Sequence, residues 1–375
     1  MSVSYIPDWV KLCLWGKAGG RCQYDGCNRQ LFRDGYTQAE FNSAYIAHIV
    51  ADKPDGPRGD PILSELLKRN IDNLMLLCDV HHRLVDKIDV AGHSVQLLQE
   101  YKRRHEARIE LVTGIQDDQR SHVLLYGAKI GEHGSPLSFS KAASAMIPAR
   151  RPAEPTAIEL GWKPSPFEDS ETAYWMMERE VLRRQFAERM KAKLDGGKIE
   201  HLSVFALAPI PLLIELGRLL SDLPAAEVFQ LHREPADWKW REEPRSFAYE
   251  LIPPVDSSRK TVALILGLSA DVIPVRVEAV LGANVAVWTL KHAQPGNDFL
   301  HSAVQLQEFR RALREAFNRI KAEHGEDAEL HLFPAVPVSA AVEIGRVWMP
   351  KADLQFAVYD QNRKTGGFTR VFDIP

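Results

Sequence analysis

The sequence lacks the features that mark membrane, secreted and strongly basic proteins. No apolar run approaches the roughly 20 residues that a membrane-spanning helix needs, and the first residues are too polar for a signal peptide. We therefore expect a cytoplasmic protein with no membrane partner. The net charge is −3, so any contact with nucleic acid must come from a local patch rather than from a bulk positive field.

Cysteine is scarce, and its four residues are unevenly placed. Cys22 and Cys27 form a C-x4-C pair, and Cys78 and His81 form a C-x2-H pair. In a reducing compartment such cysteines are metal ligands more often than disulfides. Two short-spaced pairs separated by a longer segment supply the four tetrahedral ligands of a structural Zn²⁺. Cys13 falls on the apolar side of the first predicted helix, and we expect it in the core.

Length and composition indicate a globular protein of two domains. Hydrophobic residues make up 45% and charged residues 26% of 375 residues, an ordinary composition in a chain longer than one core usually organises. Residues 115–168 are rich in glycine, proline, serine and alanine, and clustered prolines resist helix and sheet alike. We predict an N-terminal domain over residues 1–115, a connecting segment and linker over 116–168, and a C-terminal domain over 169–375.

The C-terminal part has an α/β pattern with an internal repeat. Buried-strand runs such as LSVFALAP and TVALILGLS alternate with helical segments. Segments starting at His201 and Glu329 align without gaps, and each reads as strand, proline-bearing turn and helix start. Two equivalent halves predict a pocket in their shared crevice, outside the carboxyl ends of the strands. The matching positions are Leu202 and Leu330, Phe205 and Phe333, Pro209 and Pro337, Glu215 and Glu343, Gly217 and Gly345, and Arg218 and Arg346.

Further polar residues surround the cysteine pairs. His48 stands in YIAHIVAD, Asn73 in NIDNLMLL, and His82 and Asp86 in CDVHHRLVD. The segment CQYDGC, residues 22–27, reads as a zinc knuckle. The order His, Asn, His around this knuckle resembles the HNH endonucleases of the ββα-metal class, over about residues 20–90. The resemblance implies an N-terminal ββα-metal fold and an enzyme that hydrolyses phosphodiester bonds of DNA, with His48, Asn73 and His82 as catalytic residues.

These residue types suit phosphodiester hydrolysis. A water molecule must become nucleophilic, and His48 would act as the general base. A divalent cation, Mg²⁺ or another, must stabilise charge on the phosphate. His82 and Asp86, four residues apart on one helical face, can present a nitrogen and an oxygen to that cation. Asn73 would brace the loop that carries His48.

Two points stay open within this motif. The family spacing assigns His82 to the catalytic cation and leaves His81 to zinc, and the opposite assignment is the alternative. The residue before the base is often a second metal ligand in the family, whereas this chain has Ala47. Asp52 or Asp79 could supply the missing ligand.

A basic run follows the motif on a predicted helix at residues 93–114. A nuclease of this class grips the phosphate backbone, so we expect contact with double-stranded DNA and little sequence specificity. A solvated helix face is the alternative interpretation. The residues predicted to contact DNA are Lys102, Arg103, Arg104 and Arg108.

The C-terminal repeat resembles a second family. The runs FALAPIPLL, FQLHREPADWKW and LILGLSADV are similar to the SAVED domain, a fusion of two CARF-like, Rossmann-like units, over about residues 157–375. The resemblance implies binding of cyclic oligonucleotides. An HNH domain joined to a SAVED domain resembles the effector nucleases of bacterial CBASS anti-phage systems, in which a cyclic di- or trinucleotide switches on destruction of DNA.

The expected ligand sets the chemistry of the predicted pocket. A cyclic dinucleotide such as cyclic GMP-AMP has two phosphates and two bases, so its site needs backbone N–H groups or basic side chains and flat surfaces for stacking. Each tryptophan in such a set can equally be a core residue. The residues predicted to line the pocket are Pro209, His232, Arg233, Trp238, Trp240, Ser269, Lys291 and Pro337.

Together these resemblances predict a nuclease that its ligand activates. Ligand binding would favour a homo-oligomer, a dimer or a tetramer, that brings two HNH modules to opposite strands of a duplex. One alternative is a modification-dependent restriction endonuclease whose C-terminal domain reads DNA. Another is a zinc-knuckle binding module without catalysis.

Overall fold

The described part of the chain forms two compact units, Met1–Gln116 and Asp117–Pro375. No helix in this part is long and apolar enough to cross a membrane. The computed structural model describes residues 4–130, 137–161, 166–222, 225–241, 248–296, 298–362 and 366–375.

The N-terminal unit is a small α/β domain around a two-stranded sheet. Its elements are α1 (Asp8–Ala18), β1 (Ala44–His48), α2 (Leu63–Leu67), β2 (Leu74–Cys78), α3 (Asp79–Arg83) and α4 (Val95–Thr113). Strand β1 pairs antiparallel with β2, so that His48 lies opposite Leu74 and Ala44 lies opposite Cys78. All of β2 is buried, and it shares one hydrophobic core with α1 and α4. The sheet therefore carries the knuckle at one end and His48 at the other.

The helices of this unit are delimited by local signals. Helix α1 ends at Gly19, whose φ of 59° is left-handed, a conformation that favours glycine. The Ser94 side chain caps α4 by accepting the N–H of Leu97 at 3.2 Å. Cys13 is exposed rather than in the core, because the buried face of α1 is formed by its valine, leucine and alanine side chains.

The C-terminal unit is a larger α/β domain with two sheets. Its elements are β3 (Arg120–Gly127), α5 (Phe139–Met146), β4 (Arg151–Pro152), β5 (Ile158–Leu160), α6 (Thr172–Phe186), α7 (Ala192–Asp195), β6 (His201–Leu207), α8 (Ile210–Leu220), β7 (Ala225–Val228), β8 (Tyr249–Ile252), β9 (Thr261–Gly267), α9 (Pro274–Leu281), β10 (Ala286–His292), α10 (Ala303–His324), β11 (Glu329–Ala335), α11 (Val338–Val347), β12 (Phe356–Asn362) and β13 (Gly367–Ile374). A mixed α/β fold was predicted from the alternation of strand and helix patterns, and the structure confirms it.

The two sheets have parallel centres. The first has the order β4-β3-β6-β7, with β5 also on β3, and all its pairs are parallel. The second has the order β13-β12-β11-β9-β10-β8, and only β13 and β8 join it antiparallel, at its edges. Parallel strands are buried on both faces, which explains the near-continuous apolar runs in the sequence.

The internal repeat corresponds to a structural duplication. The register places Gly127 of β3 beside Leu207 of β6, and Gly267 of β9 beside Ala335 of β11. Each central strand is followed by a helix, α8 or α11, and then by a parallel strand at its side, β7 or β12. The two helices pack against each other between the halves, as a shared crevice requires.

The segment predicted as a connection, residues 116–168, contributes to the C-terminal sheet. It contains β3, whose last five residues are all buried and which pairs with β6 along its length. It also contains α5, β4 and β5. The apolar run VLLY within β3 is a stronger determinant here than the surrounding prolines and glycines.

Candidate functional sites

Three thiols and one imidazole meet at the knuckle end of the small sheet. One ligand atom from each of four residues lies within 4.8 Å of the other three: Cys22, Cys27, Cys78 and His81. The Nδ1 atom of His81 is 3.2 Å from the sulfur of Cys78 and 3.7 Å from that of Cys22. Ligands about 2.3 Å from a tetrahedral Zn²⁺ lie about 3.8 Å apart. The donor set therefore fits such an ion, and it includes His81 rather than His82.

The residues around the Cys3His group favour cation binding by this group. Burial raises the pKa of the Cys22 thiol, so the thiolate form requires a nearby positive charge. The ring of Tyr24 stacks on His81, with centroids 4.0 Å apart and planes 2° from parallel. The Tyr24 hydroxyl is in turn 3.0 Å from Nε2 of His93. These contacts hold the His81 ring with Nδ1 towards the sulfurs.

A cavity of about 240 Å³ lies at the other end of β1, and His48, His82 and Asp86 all line it. Nε2 of His82 is 3.3 Å from one oxygen of Asp86. Two neighbouring ligands of an octahedral cation at about 2.1 Å lie about 3 Å apart, so this pair fits one divalent cation. Burial lowers the pKa of His82, against the opposing effect of Asp86; the neutral ring is the form that binds metal.

Hydrogen bonds orient His48 and the loop that follows it. Nε2 of His48 is 2.9 Å from the carbonyl oxygen of Lys68. A carbonyl only accepts, so Nε2 carries a hydrogen, and in the neutral ring Nδ1 then keeps a lone pair. The side chain of Asn73 accepts the N–H of Val50 and donates to its carbonyl, both at 2.8 Å. Asn73 thus fixes the backbone two residues beyond His48.

Within the described part of the chain, the structure brings no third ligand to the His82–Asp86 pair. In the described residues, no further histidine, cysteine or carboxylate atom joins His82 and Asp86 within 4.8 Å. Asp79 pairs with Arg83 at 3.0 Å and is not among the residues that line the cavity. Asp52 lines the cavity, and its carboxylate accepts the N–H of Ser4 at 3.3 Å.

Sequence reasoning missed Arg58, whose side chain is only 6% exposed. Its guanidinium donates to the second oxygen of Asp86 at 2.6 Å. Within the turn KPDGPRG it resembles an ordinary loop residue, and neither spacing nor periodicity connects it with a carboxylate 28 positions later. The one sequence signal for Arg58 is that this turn begins five residues after His48.

The predicted DNA-contacting residues differ in their availability. Lys102 is buried and its ammonium pairs with Glu106, so it is not a surface phosphate contact. Helix α4 turns this residue inward, next to Leu98 and His105. The three arginines are at the surface, and each has a polar partner in the same unit: Arg103 with Glu100, Arg104 with Asp25, and Arg108 with Asn28.

In the C-terminal unit, a cavity of about 530 Å³ lies where the repeat predicts a pocket. It is lined by the last residues of β6 and β11, Leu207 and Ala335, and by the first residues of α8 and α11, Ile210 and Val338. The carboxyl ends of two equivalent strands and the amino ends of two equivalent helices therefore meet at one cavity. Four of the predicted lining residues are at it: His232, Arg233, Ser269 and Pro337.

The other predicted lining residues lie elsewhere. Trp238 is only 3% exposed and packs edge-on against Phe205 in the core, so it is not a stacking surface for a ligand. Trp240 donates its indole N–H to Glu227 at 3.0 Å. Lys291, on a strand near the sheet edge, pairs with Glu250 at 3.4 Å. Pro209 precedes the first residue of α8 and does not itself line the cavity.

Two polar side chains of the cavity wall are fixed by the protein. Nδ1 of His232 is 3.2 Å from a carboxylate oxygen of Asp298, and burial lowers the pKa of His232. Gln230, which the sequence did not single out, accepts the N–H and hydroxyl of Ser339 at 3.2 and 2.8 Å. It thereby ties the strand end of the first half to the helix start of the second half.

Comparison with known families assigns this unit. The profile of the SMODS-associated and fused to various effectors sensor domain, SAVED, matches residues 182–374. The chain belongs to the SAVED family. The match covers β6, β9 and β11, both central helices and all the residues of the crevice named above, and it begins after β3.

Solved structures similar to this chain include Cap4 receptors with SAVED/CARF domains. That of Acinetobacter baumannii with the cyclic trinucleotide 3′3′3′-cAAA is 12% identical, with a TM-score of 0.41, and the match covers 73% of this chain and 56% of that chain. The Moraxella osloensis Cap4 receptor is 12% identical, with a TM-score of 0.38 and coverage of 75% and 59%. The present chain thus spans less than two thirds of the length of these receptors. Comparison with curated proteins gave no match.

Proposed function

We propose that the chain is a metal-dependent DNA endonuclease of the HNH class, which a cyclic oligonucleotide bound to the SAVED domain activates in bacterial CBASS defence. The observation that best supports catalysis is the single cavity shared by His48, His82 and Asp86. The SAVED match supports the sensing half of the proposal. We propose residues 1–115 as the nuclease and residues 169–375, together with the preceding strands β3, β4 and β5 that complete their sheet, as the sensor.

The contacts of the nuclease residues support a role for each of them. His48 accepts the proton of the attacking water at Nδ1, while its Nε2–H stays on the Lys68 carbonyl and keeps the ring aimed. His82 and Asp86 would hold a divalent cation, Mg²⁺ or another, and such a cation stabilises negative charge on the phosphate. Asn73 keeps the His48 loop in place. The Cys3His group would hold a structural Zn²⁺ that fixes α3 to the knuckle.

The crevice has the chemistry that an anionic, base-bearing ligand needs. The amino ends of α8 and α11 both reach it, and helix amino ends favour phosphate groups. Arg233 adds a positive charge, and His232 and Ser269 add polar groups that can bind bases or ribose. A cavity built from two halves suits a cyclic di- or trinucleotide such as cyclic GMP-AMP.

A switch requires that the ligand favour one state over another. One centre cuts one strand, so a double-strand break needs two copies of the chain at one duplex. We propose that ligand binding favours a dimer or tetramer in which two centres face opposite strands. The ligand must bind this assembly more tightly than the free chain, because equal affinity would shift nothing.

The test is cleavage of plasmid DNA by the purified protein with Mg²⁺ or Mn²⁺ and a panel of cyclic di- and trinucleotides. We expect cutting with one cyclic ligand, none with its linear counterpart, and none by His48→Ala. His122→Ala, which changes a histidine on β3 outside both cavities, is the matched control and should cut normally. Equal cutting with and without ligands would contradict the switch. Cutting confined to methylated DNA would indicate a restriction enzyme, and DNA binding without any cutting would indicate a binding module.

A further inference from the structure

Arg58 is a buried guanidinium that joins the two segments of the proposed catalytic cavity. Its Nε donates to the carbonyl of Ile49 and its Nη1 to that of Val85, both at 2.8 Å. Its Nη2 donates to Asp86 at 2.6 Å and lies 3.4 Å from the carbonyl oxygen of His48. Arg58 therefore contacts the backbone at the proposed base, His48. It also contacts the backbone of Val85 and the carboxylate of Asp86, a proposed ligand of the cation.

The turn that carries Arg58 has a backbone conformation that an arginine disfavours. Arg58 has a φ of 57°, in the left-handed region that side chains other than glycine rarely adopt. A Cβ at Gly59 would lie 2.3 Å from the carbonyl oxygen of Pro54, so the turn closes too tightly for another residue there. Backbone strain of this kind persists only where the surrounding contacts over-determine it. The four contacts of the guanidinium are such a constraint.

The geometry points to Arg58 as the positioning residue of the divalent-cation site. It holds one oxygen of Asp86, which leaves the other oxygen 3.3 Å from Nε2 of His82. Because Ala47 supplies no ligand, His82 and Asp86 form a two-residue site. A site with so few protein ligands depends strongly on how each is oriented. This inference rests on the proposed function, since it concerns the same cation.

Two physical effects of Arg58 oppose each other, and this makes the inference testable. Its positive charge repels a cation, so removing the charge alone would strengthen cation binding. Its hydrogen bonds orient the carboxylate, so removing them would weaken cation binding. We infer that orientation outweighs repulsion. A merely structural role would change the stability of the unit and leave the cation affinity of the folded protein unchanged.

The experiment measures Mn²⁺ affinity of the full chain loaded with zinc, by titration followed with electron paramagnetic resonance of free Mn²⁺. Arg58→Met and Arg58→Lys should both bind Mn²⁺ about 10–100-fold more weakly. Arg58→Lys keeps the positive charge but loses the planar guanidinium that donates several hydrogen bonds. If Arg58→Met does not fold, Arg58→Lys alone tests whether these hydrogen bonds orient Asp86. Arg83→Met is the matched control, because Arg83 is exposed on the neighbouring turn and, within the described residues, pairs with Asp79 and not with Asp86. The Mn²⁺ affinity of this variant should stay at the parent value.

Each outcome identifies which idea fails. Equal or tighter Mn²⁺ binding by the folded Arg58 variants would overturn the positioning role and leave the proposed nuclease untouched. A parent protein that binds no Mn²⁺ would overturn the cation site, and with it both the proposed chemistry and the role of Arg58. Weakened binding in Arg83→Met as well would overturn the specific role of Arg58, because a change at another residue near the site would then have the same effect.

Discussion

Gly217 of α8 and Gly345 of α11 are reciprocal contact points between the two halves of the SAVED domain. A Cβ at Gly217 would lie 1.9 Å from the carbonyl oxygen of Val342, and a Cβ at Gly345 would lie 2.0 Å from that of Ile214. Each helix thus places its glycine against the backbone of the other. The absence of two methyl groups allows the helices to approach closely enough to align both amino ends on the crevice.

Replacing either glycine should separate the helices. We expect Gly217→Ala and Gly345→Ala each to lower the free energy of unfolding by about 3 kcal/mol, because the obstacle is backbone that cannot rotate away. The measurement is urea unfolding followed by circular dichroism. Gly16→Ala in α1 is the matched control: a Cβ there meets nothing within 4 Å, so this variant should be about 0.5–1 kcal/mol more stable. Equal stability of all three variants would contradict the close approach.

Sequence spacing predicted those parts of the sites that depend on local geometry. Cys22 and Cys27 share one short loop, and Cys78 and His81 share one strand-to-helix junction, so their spacing predicts which atoms converge. The offset between the repeats likewise predicts the crevice at the ends of β6 and β11. In both cases the element that carries the residues could be recognised from its own pattern.

The remaining features depend on contacts between distant segments, which periodicity does not reveal. Arg58 meets Asp86 only because a tight turn brings it to the segment that follows α3. Lys102 was expected at the surface, yet the face of α4 that packs inward includes it. Trp238 was expected at the ligand, yet Phe205 of the neighbouring strand covers it. Charge and aromaticity alone therefore do not distinguish a ligand contact from a core or ion-pair residue.

The Cys3His group predicts a metal content that can be counted. The purified chain should contain one zinc ion, and Cys78→Ser should lose it, because a buried set with three ligands binds zinc weakly and the apo unit loses folding free energy. Elemental analysis and thermal unfolding measure both effects. Cys13→Ser changes an exposed cysteine outside the group and should keep the ion. Full zinc content in Cys78→Ser would rule out this ligand set.

Glu215 of α8 is a buried carboxylate that Arg179 and Arg183 of α6 and Arg218 of α8 contact. Burial raises the pKa of its carboxyl, but hydrogen bonds from Arg218 and Arg183 outweigh burial and hold the pKa at about 2. Glu215→Gln would leave the guanidinium groups without this negatively charged partner, so we expect the free energy of unfolding to fall by about 3–5 kcal/mol. Glu180→Gln breaks an exposed pair on α6 and should cost no more than about 1 kcal/mol. Similar losses in the two variants would contradict a special role for Glu215.

His201 predicts how the stability of the SAVED domain depends on pH. Burial lowers the pKa of His201 from 6.5 to about 4, and Arg150 and Arg346 add to the effect. Between pH 6.5 and about 4 the unfolded chain therefore binds a proton that the folded chain does not bind. The free energy of unfolding consequently falls as the pH falls through this window, and His201 does not affect this free energy above pH 6.5.

Urea midpoints across the window should fall more steeply for the parent than for His201→Gln, which has no proton to gain. Protonation of the zinc ligands acts equally in both proteins, so the difference isolates His201. Parallel curves for the two proteins would mean that His201 is protonated as readily in the folded chain as in the unfolded one.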